Sequence, residues 1–160
     1  MKKFLSIIIS TIILILCSCV RNSTISENYE PTMDFPIEKL NSSFIITDPA
    51  INNNSYKNDD ILLLDLENRS ENAIIFPGDF NLRIYQKVGT KWIPVKNNLA
   101  NPQGDWYLPK NQDWKASEEL GLIPDITGLE KPTTIRIFAF GKIESTQEKV
   151  GAYIELTLYP

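Results

Sequence analysis

Short segments in which apolar and polar residues alternate recur along most of this chain and limit it to a β-sheet fold. Leu62, Leu64 and Leu66 fall on one face of an extended segment. Thr133–Phe140 and Gly151–Tyr159 are the two strongest later strand candidates. No segment carries a convincing apolar period of 3.6 with helix caps. The pattern therefore predicts strands rather than helices.

Five further short strands complete the predicted fold. They are expected at Phe44–Thr47, Ala73–Phe76, Phe80–Tyr85, Lys91–Val95 and Leu120–Ile123. Turn-forming residues separate them, and about 8 strands joined mostly by hairpin-length turns describe an all-β, antiparallel β-sandwich. A closed barrel is the alternative, because strand patterns alone do not count sheets.

Side-chain directions can be predicted for the segment from residue 80 to residue 95. Alternation places Phe80, Leu82 and Ile84 inward and Asn81, Arg83 and Tyr85 outward. Gly89 separates this strand from the next, so the two strands are expected to form a hairpin. Trp92 lies in the middle of the second strand and is expected in the core.

The N-terminal segment has the features of a cleaved signal peptide. Lys2 and Lys3 supply positive charge, and the hydrophobic run Phe4–Leu16 is 13 residues long. A transmembrane helix needs about 20 apolar residues, so a cleaved signal is favoured over a permanent membrane span.

The next residues, Leu16-Cys17-Ser18-Cys19, resemble the lipobox of bacterial lipoproteins. The resemblance implies that residues 1–18 are removed and that Cys19 carries diacylglycerol and an amide-linked acyl chain. It also implies a protein anchored to the membrane on the extracytoplasmic side, at the outer membrane if the cell is Gram-negative. Cys17 is a competing lipidation site, and an ordinary secretory signal with two incidental cysteines is a further alternative.

Residues 19–41 have the composition of a flexible tether. They contain Pro31 and Pro36 among many Asn, Ser, Thr and Glu residues, and they show no helical or strand periodicity. A flexible chain of about 20 residues reaches roughly 25 Å, enough to hold a domain away from lipid headgroups. The alternative is that Met33–Leu40 packs along the domain. The β-sandwich domain itself is expected to span residues 42–160.

A second motif lies in residues 61–95. A long core strand ends at the turn Asn68-Arg69-Ser70, and Trp92 follows a turn that contains Gly89. This succession resembles the bacterial immunoglobulin-like domains of secreted and lipoprotein chains. The resemblance implies an immunoglobulin-like sandwich and implies no activity.

The charge of the chain argues against nucleic acid as a partner. The full chain has 16 basic and 20 acidic residues and a formal charge of −4. Removal of residues 1–18 takes away Lys2 and Lys3, which leaves 14 basic residues against 20 acidic ones and a charge of −6. Phosphate binding needs a basic stripe. An acidic domain also has no charge-based affinity for anionic lipid, so the lipid at Cys19 is expected to be the membrane anchor.

The residue inventory predicts a protein that is not an enzyme and holds no metal or cofactor. Histidine is absent, and both cysteines lie at the signal boundary. Ser-His-Asp and Cys-His sites are thereby excluded, and zinc loses its usual ligands. Carboxylates alone still permit a glycosidase, and oxygen ligands permit a Ca²⁺ site at Asn52–Asn54 with Asp59 and Asp60, although the spacing matches no EF-hand.

Three aromatic residues in an irregular loop are the candidate binding residues. Trp106, Tyr107 and Trp114 lie beside acids and amides in residues 97–118, a combination suited to stacking on a sugar or anchoring a protein. The alternative is that the rings cap the end of the sandwich. Two function classes follow: a lipoprotein module that binds an envelope protein partner, and a module that binds a glycan or envelope polymer.

Overall fold

The computed structural model describes residues 35–50, 56–99, 104–110 and 117–160, with the backbone alone for residues 117 and 118. The described residues contain ten strands and one 3₁₀ turn, Ile37–Lys39. The strands are β1 (Phe44–Thr47), β2 (Tyr56–Lys57), β3 (Leu62–Asn68), β4 (Ile74–Phe76), β5 (Arg83–Val88), β6 (Lys91–Val95), β7 (Trp106–Leu108), β8 (Ser117–Leu122), β9 (Thr133–Ile143) and β10 (Lys149–Tyr159). The fold is all-β, as predicted. Within the described residues, no helix is long and apolar enough to cross a membrane.

The strands form two sheets. The first has the order β1-β3-β8. The second has the order β2-β10-β9-β4-β7, and the β5–β6 hairpin joins it because β5 also pairs with β9. Strand β9 pairs with β10 along one edge and shares its other edge between β5 and β4. The described strand pairs are antiparallel except β2 with β10.

The predicted alternation in β3 is confirmed. Leu62, Leu64 and Leu66 have no exposed surface, whereas Leu63 is 43% exposed. Leu64 pairs with Leu120 of β8, and Leu66 pairs with Ile46 of β1. Strand β3 therefore has a neighbouring strand along each of its edges. One face of the first sheet is therefore apolar and the other faces water.

The main core lies between the inner faces of the two sheets, which is the arrangement of a sandwich. The first sheet contributes Phe44, Ile46, Leu62, Leu64, Leu66, Leu120 and Leu122, and the second contributes Ile74, Phe76, Ile84, Leu108, Ile135, Ile137, Ala139, Ala152 and Leu158. Ile154 and Leu156 of β10 pack against the same cluster. Their spacing of two residues places them on the same inward face of β10 as Ala152 and Leu158.

A second apolar cluster covers the outer face of the second sheet. It consists of Phe35, Tyr85, Phe138 and Phe140 and is called the outer cluster. The rings of Phe138 and Phe140 are parallel with centroids 6.2 Å apart, and Phe35 meets Phe140 at 5.7 Å. This sheet is consequently buried on both faces over part of its area.

Residues 35–41, which the sequence assigned to the tether, pack on this domain. Phe35 is 7% exposed, the Asn41 amide donates to the Gly151 carbonyl at 3.0 Å, and the Tyr153 amide donates to the Asn41 side chain at 2.9 Å. A β-carbon at Gly151 would lie 2.8 Å from Phe140 and 3.1 Å from Leu40, so only glycine permits this close approach. Phe35, Leu40 and Asn41 thus lie against the domain, and residues 33 and 34 of the Met33–Leu40 alternative lie outside the described residues.

The predicted strand over residues 80–85 is wrong in its first half. Phe80 and Asn81 have φ values of 52° and 48° and belong to a turn, so β5 begins only at Arg83. The predicted outward position of Tyr85 is correct, yet Tyr85 is 6% exposed because the outer cluster covers it. Phe80 still points into the core, as expected.

Trp92 lies outside the main core, which corrects the expectation from its mid-strand position. It is half-buried on the outer face of the second sheet, beside the outer cluster. The Arg136 guanidinium lies 4.1 Å and the Lys87 ammonium 5.8 Å from the centre of its ring. Cation–π attraction to two side chains therefore holds this indole at the surface.

Candidate functional site

Trp106, the first of the predicted binding residues, packs against the core. It lies on β7, opposite Phe76 of β4, and its ring centre is 5.3 Å from that of Phe80. The side chain is half-buried and contacts the main cluster. In the described part of the loop, the tryptophan thus occupies the end of the sandwich.

Tyr107 points to the opposite face of the same strand. Successive side chains of a strand alternate between faces, and Tyr107 is 53% exposed. Its hydroxyl donates a hydrogen bond to the Glu144 carboxylate, which raises the pKa of Tyr107. Trp106 and Tyr107 therefore do not form a shared stacking surface, and Trp114 lies outside the described residues.

The acidic candidates take turn positions where the structure describes them. Asp59 has a φ of 75°, and an Asp60 carboxylate oxygen accepts a hydrogen bond of 2.8 Å from the Lys57 amide. Among the described residues, no group of three or more acids, histidines or cysteines could hold a metal ion. Residues 52–54 of the Ca²⁺ alternative lie outside what is described.

A polar cavity of about 280 Å³, which the sequence did not suggest, is lined by a tyrosine–aspartate pair in which Asp48 is buried and Tyr56 half-buried. The Tyr56 hydroxyl donates to Asp48 at 2.6 Å, and the Ala50 amide donates to the same oxygen at 2.8 Å. Burial, followed by the bond to Asp48, raises the pKa of Tyr56 to about 12. This phenol therefore stays protonated at neutral pH and donates its proton to the hydrogen bond with Asp48.

The β5–β6 hairpin extends beyond the core and leaves an apolar surface uncovered. Val88 and Ile93 lie on its inner face, farther from the core than Ile84 and Val95, and are 49% and 45% exposed. These two side chains are called the hairpin patch. Large apolar side chains that cluster on a solvent-exposed surface are characteristic of interaction surfaces.

The charge of this hairpin is opposite to that of the chain. Residues 83–96 contain four basic residues, Arg83, Lys87, Lys91 and Lys96, and no acidic residue. The chain as a whole carries −4. Lys91 lies opposite Val88 on the same face as the hairpin patch, whereas Arg83 and Lys87 lie on the outer face, over Phe140 and Trp92. The hairpin as a whole is basic, and this charge attracts an acidic surface.

The outer edge of the hairpin is unsuited to strand addition. Among the described strands, β6 pairs with β5 alone. Pro94 lacks an amide hydrogen, and Lys91 adds charge, two features that limit pairing along an exposed edge. Contact at this hairpin is therefore favoured through side chains.

No protein-family model matches this chain. No curated protein is significantly similar to it.

Proposed function

We propose that this chain is a bacterial envelope lipoprotein, anchored through lipid on Cys19, whose β-sandwich is a non-enzymatic module that binds a protein partner. The observation that carries the proposal is the hairpin patch, two exposed aliphatic side chains within a basic hairpin of an acidic chain. Such a surface fits a partner with an apolar centre and an acidic rim.

The arrangement of the aromatic residues favours a protein-binding module over a glycan-binding one. Sugars are bound by rings that present an open face, whereas Trp106 is half-buried against Phe80. Tyr107 is exposed but stands alone on its side of β7 within the described residues. An aliphatic patch offers no ring to a sugar and is suited to another protein's side chains.

The lipid anchor is tested by substituting Cys19. Cys19→Ala is expected to abolish incorporation of labelled palmitate and to leave an uncleaved or mis-sorted precursor, because the lipid is attached to this thiol. Cys17→Ala is the matched control and is expected to label normally. Continued labelling of Cys19→Ala would move the lipid to Cys17 or refute the lipoprotein assignment.

The partner surface is tested by placing a charge in the hairpin patch. Ile93→Asp should weaken capture of the partner from envelope extracts by about tenfold or more, because a carboxylate buried without a partner in an apolar interface costs more than the roughly 1.4 kcal/mol that corresponds to a tenfold change in affinity. Ile61→Asp is the matched control, because Ile61 is 53% exposed and lies outside the hairpin. Raised salt should also weaken capture.

Two results would contradict the surface assignment. One is equal capture by Ile93→Asp and the unsubstituted protein. The other is saturable binding of a glycan that is lost on Tyr107→Ala, with an unchanged melting temperature. That second result would establish the carbohydrate-binding alternative.

A further inference from the structure

A cavity of about 300 Å³ lies on the outer face of the second sheet, where β4 meets β9. Ile75, Pro77 and Phe140 form an apolar wall. Its size is at the lower end of that found for small-molecule sites. The hairpin patch lies on the other face of this sheet, so the cavity is separate from the proposed protein-binding surface.

Two neighbouring lysines line this cavity. Lys142 of β9 and Lys149 of β10 are directly opposite each other in the strand register, and both line the cavity. Like charges in this position repel. In the described part of the chain, neither ammonium group has a carboxylate within ion-pair distance. The repulsion between them would be relieved by an anion bound between the two groups.

The charge of the lining limits the kind of anion. Asp105 also lines the cavity, so the formal charge is two positive and one negative, or +1. A single negative charge on the ligand would neutralise this lining, whereas a dianion would leave it with a net charge of −1. A carboxylate has this charge at neutral pH, and lysine binds it as a point charge.

The backbone at the rim is held in an unusual conformation. Asn81 lines the cavity, and it follows Phe80, a bulky residue with a φ of 52°. The Phe140 amide donates to the Phe80 carbonyl at 3.0 Å, and the Asn81 amide donates to Asp79 at 2.8 Å. Left-handed backbone at a bulky residue is costly and is maintained where the surroundings fix it, often at ligand sites.

We propose that this cavity binds a small monoanionic carboxylate with an apolar body. The carboxylate lies between Lys142 and Lys149, and the apolar body packs against Ile75, Pro77 and Phe140. Asp105 accepts a hydrogen bond from an N–H or O–H of the ligand. The site adds a small-molecule ligand to a module otherwise proposed to bind protein, and it does not depend on that proposal.

The test uses N-acetyl-phenylalanine as the probe and the full chain in detergent. The probe has one carboxylate, an aromatic ring and an amide hydrogen, and its C-terminal amide derivative has nearly the same shape but no charge. Isothermal titration calorimetry is expected to show saturable binding of the carboxylate, weakened about tenfold or more in the amide. Empty micelles control for partition of the probe into detergent.

Variants identify the site. Lys142→Gln with Lys149→Gln should weaken binding by about tenfold or more, because both charged contacts are lost, and should leave the melting temperature unchanged or slightly higher. Lys96→Gln with Lys131→Gln removes the same charge elsewhere and should bind normally.

Three outcomes would overturn the proposal. These are the absence of saturable binding, equal binding of the carboxylate and its amide, and equal binding by the Lys142→Gln, Lys149→Gln variant. Tighter binding of inorganic phosphate than of the probe would refute a monoanionic carboxylate as the ligand class.

Discussion

Phe35→Ala is expected to lower the free energy of unfolding by about 3 kcal/mol, the lower end of the range for a buried phenylalanine. The lower end applies because the outer cluster lies on one sheet face and is not enclosed between two sheets. Phe35 is 7% exposed and its ring meets Phe140 at 5.7 Å. Chemical denaturation of the full chain in detergent measures this loss.

Ile37→Ala is the matched control in the same short segment. Ile37 is 51% exposed, so its truncation should change stability by no more than about 0.5 kcal/mol. If both substitutions had equal, small effects, residues 35–41 would be dispensable for the fold. They would then belong to the tether. A large effect at Phe35 alone restricts any tether to residues 19–34, which lie outside the described residues.

Strands β1 and β3 of the first sheet could be predicted because one face of the sheet is apolar and the other polar, whereas β8 begins at Ser117 and not at Leu120 as predicted. Leu62, Leu64 and Leu66 alternate with polar or exposed residues, and this pattern fixes the face that is buried. Residues Phe44–Thr47 end at Asp48-Pro49, so both the strand and its limit were visible. The local sequence was sufficient to predict a strand where only one face of that strand is buried.

The second sheet was harder to predict because it is buried on both faces. Tyr85 points outward, as alternation requires, but is covered by residues distant in sequence such as Phe35 and Phe138. The sequence did not indicate the left-handed turn at Phe80, because a phenylalanine with positive φ is rare. Both differences arise from tertiary packing, which period-two patterns do not report.

The candidate sites show the same limit. The sequence identified Trp106 and Tyr107 as neighbours in a loop, but a three-residue strand there directs them to opposite faces. Lys142 and Lys149 are seven residues apart, and only the register of the β9–β10 hairpin places them opposite each other. The charge of residues 83–96 was visible in the sequence, whereas the exposure of Val88 and Ile93 required the structure.

Leu64→Ala is expected to cost about 3 to 4 kcal/mol, within the 2 to 5 observed for buried leucines. Leu64 has no exposed surface and pairs with Leu120 in the middle of the first sheet. Neighbouring strands on both edges of β3 restrict collapse of the resulting cavity, which keeps the cost in the upper half of the range. A domain is usually stable by about 5 to 15 kcal/mol, so this single substitution removes a large share of the total.

Leu63→Ala is the matched control for this experiment, because Leu63 is the adjacent residue and has the same side chain. It is 43% exposed on the outer face of the first sheet, so its truncation should cost about 0.5 kcal/mol or less. Denaturation midpoints of both variants, measured with unchanged slopes, give the two losses directly. Equal losses would place both faces of β3 in the same environment and contradict the sandwich, whereas a difference of about 3 kcal/mol requires a sheet covered on the Leu64 side alone.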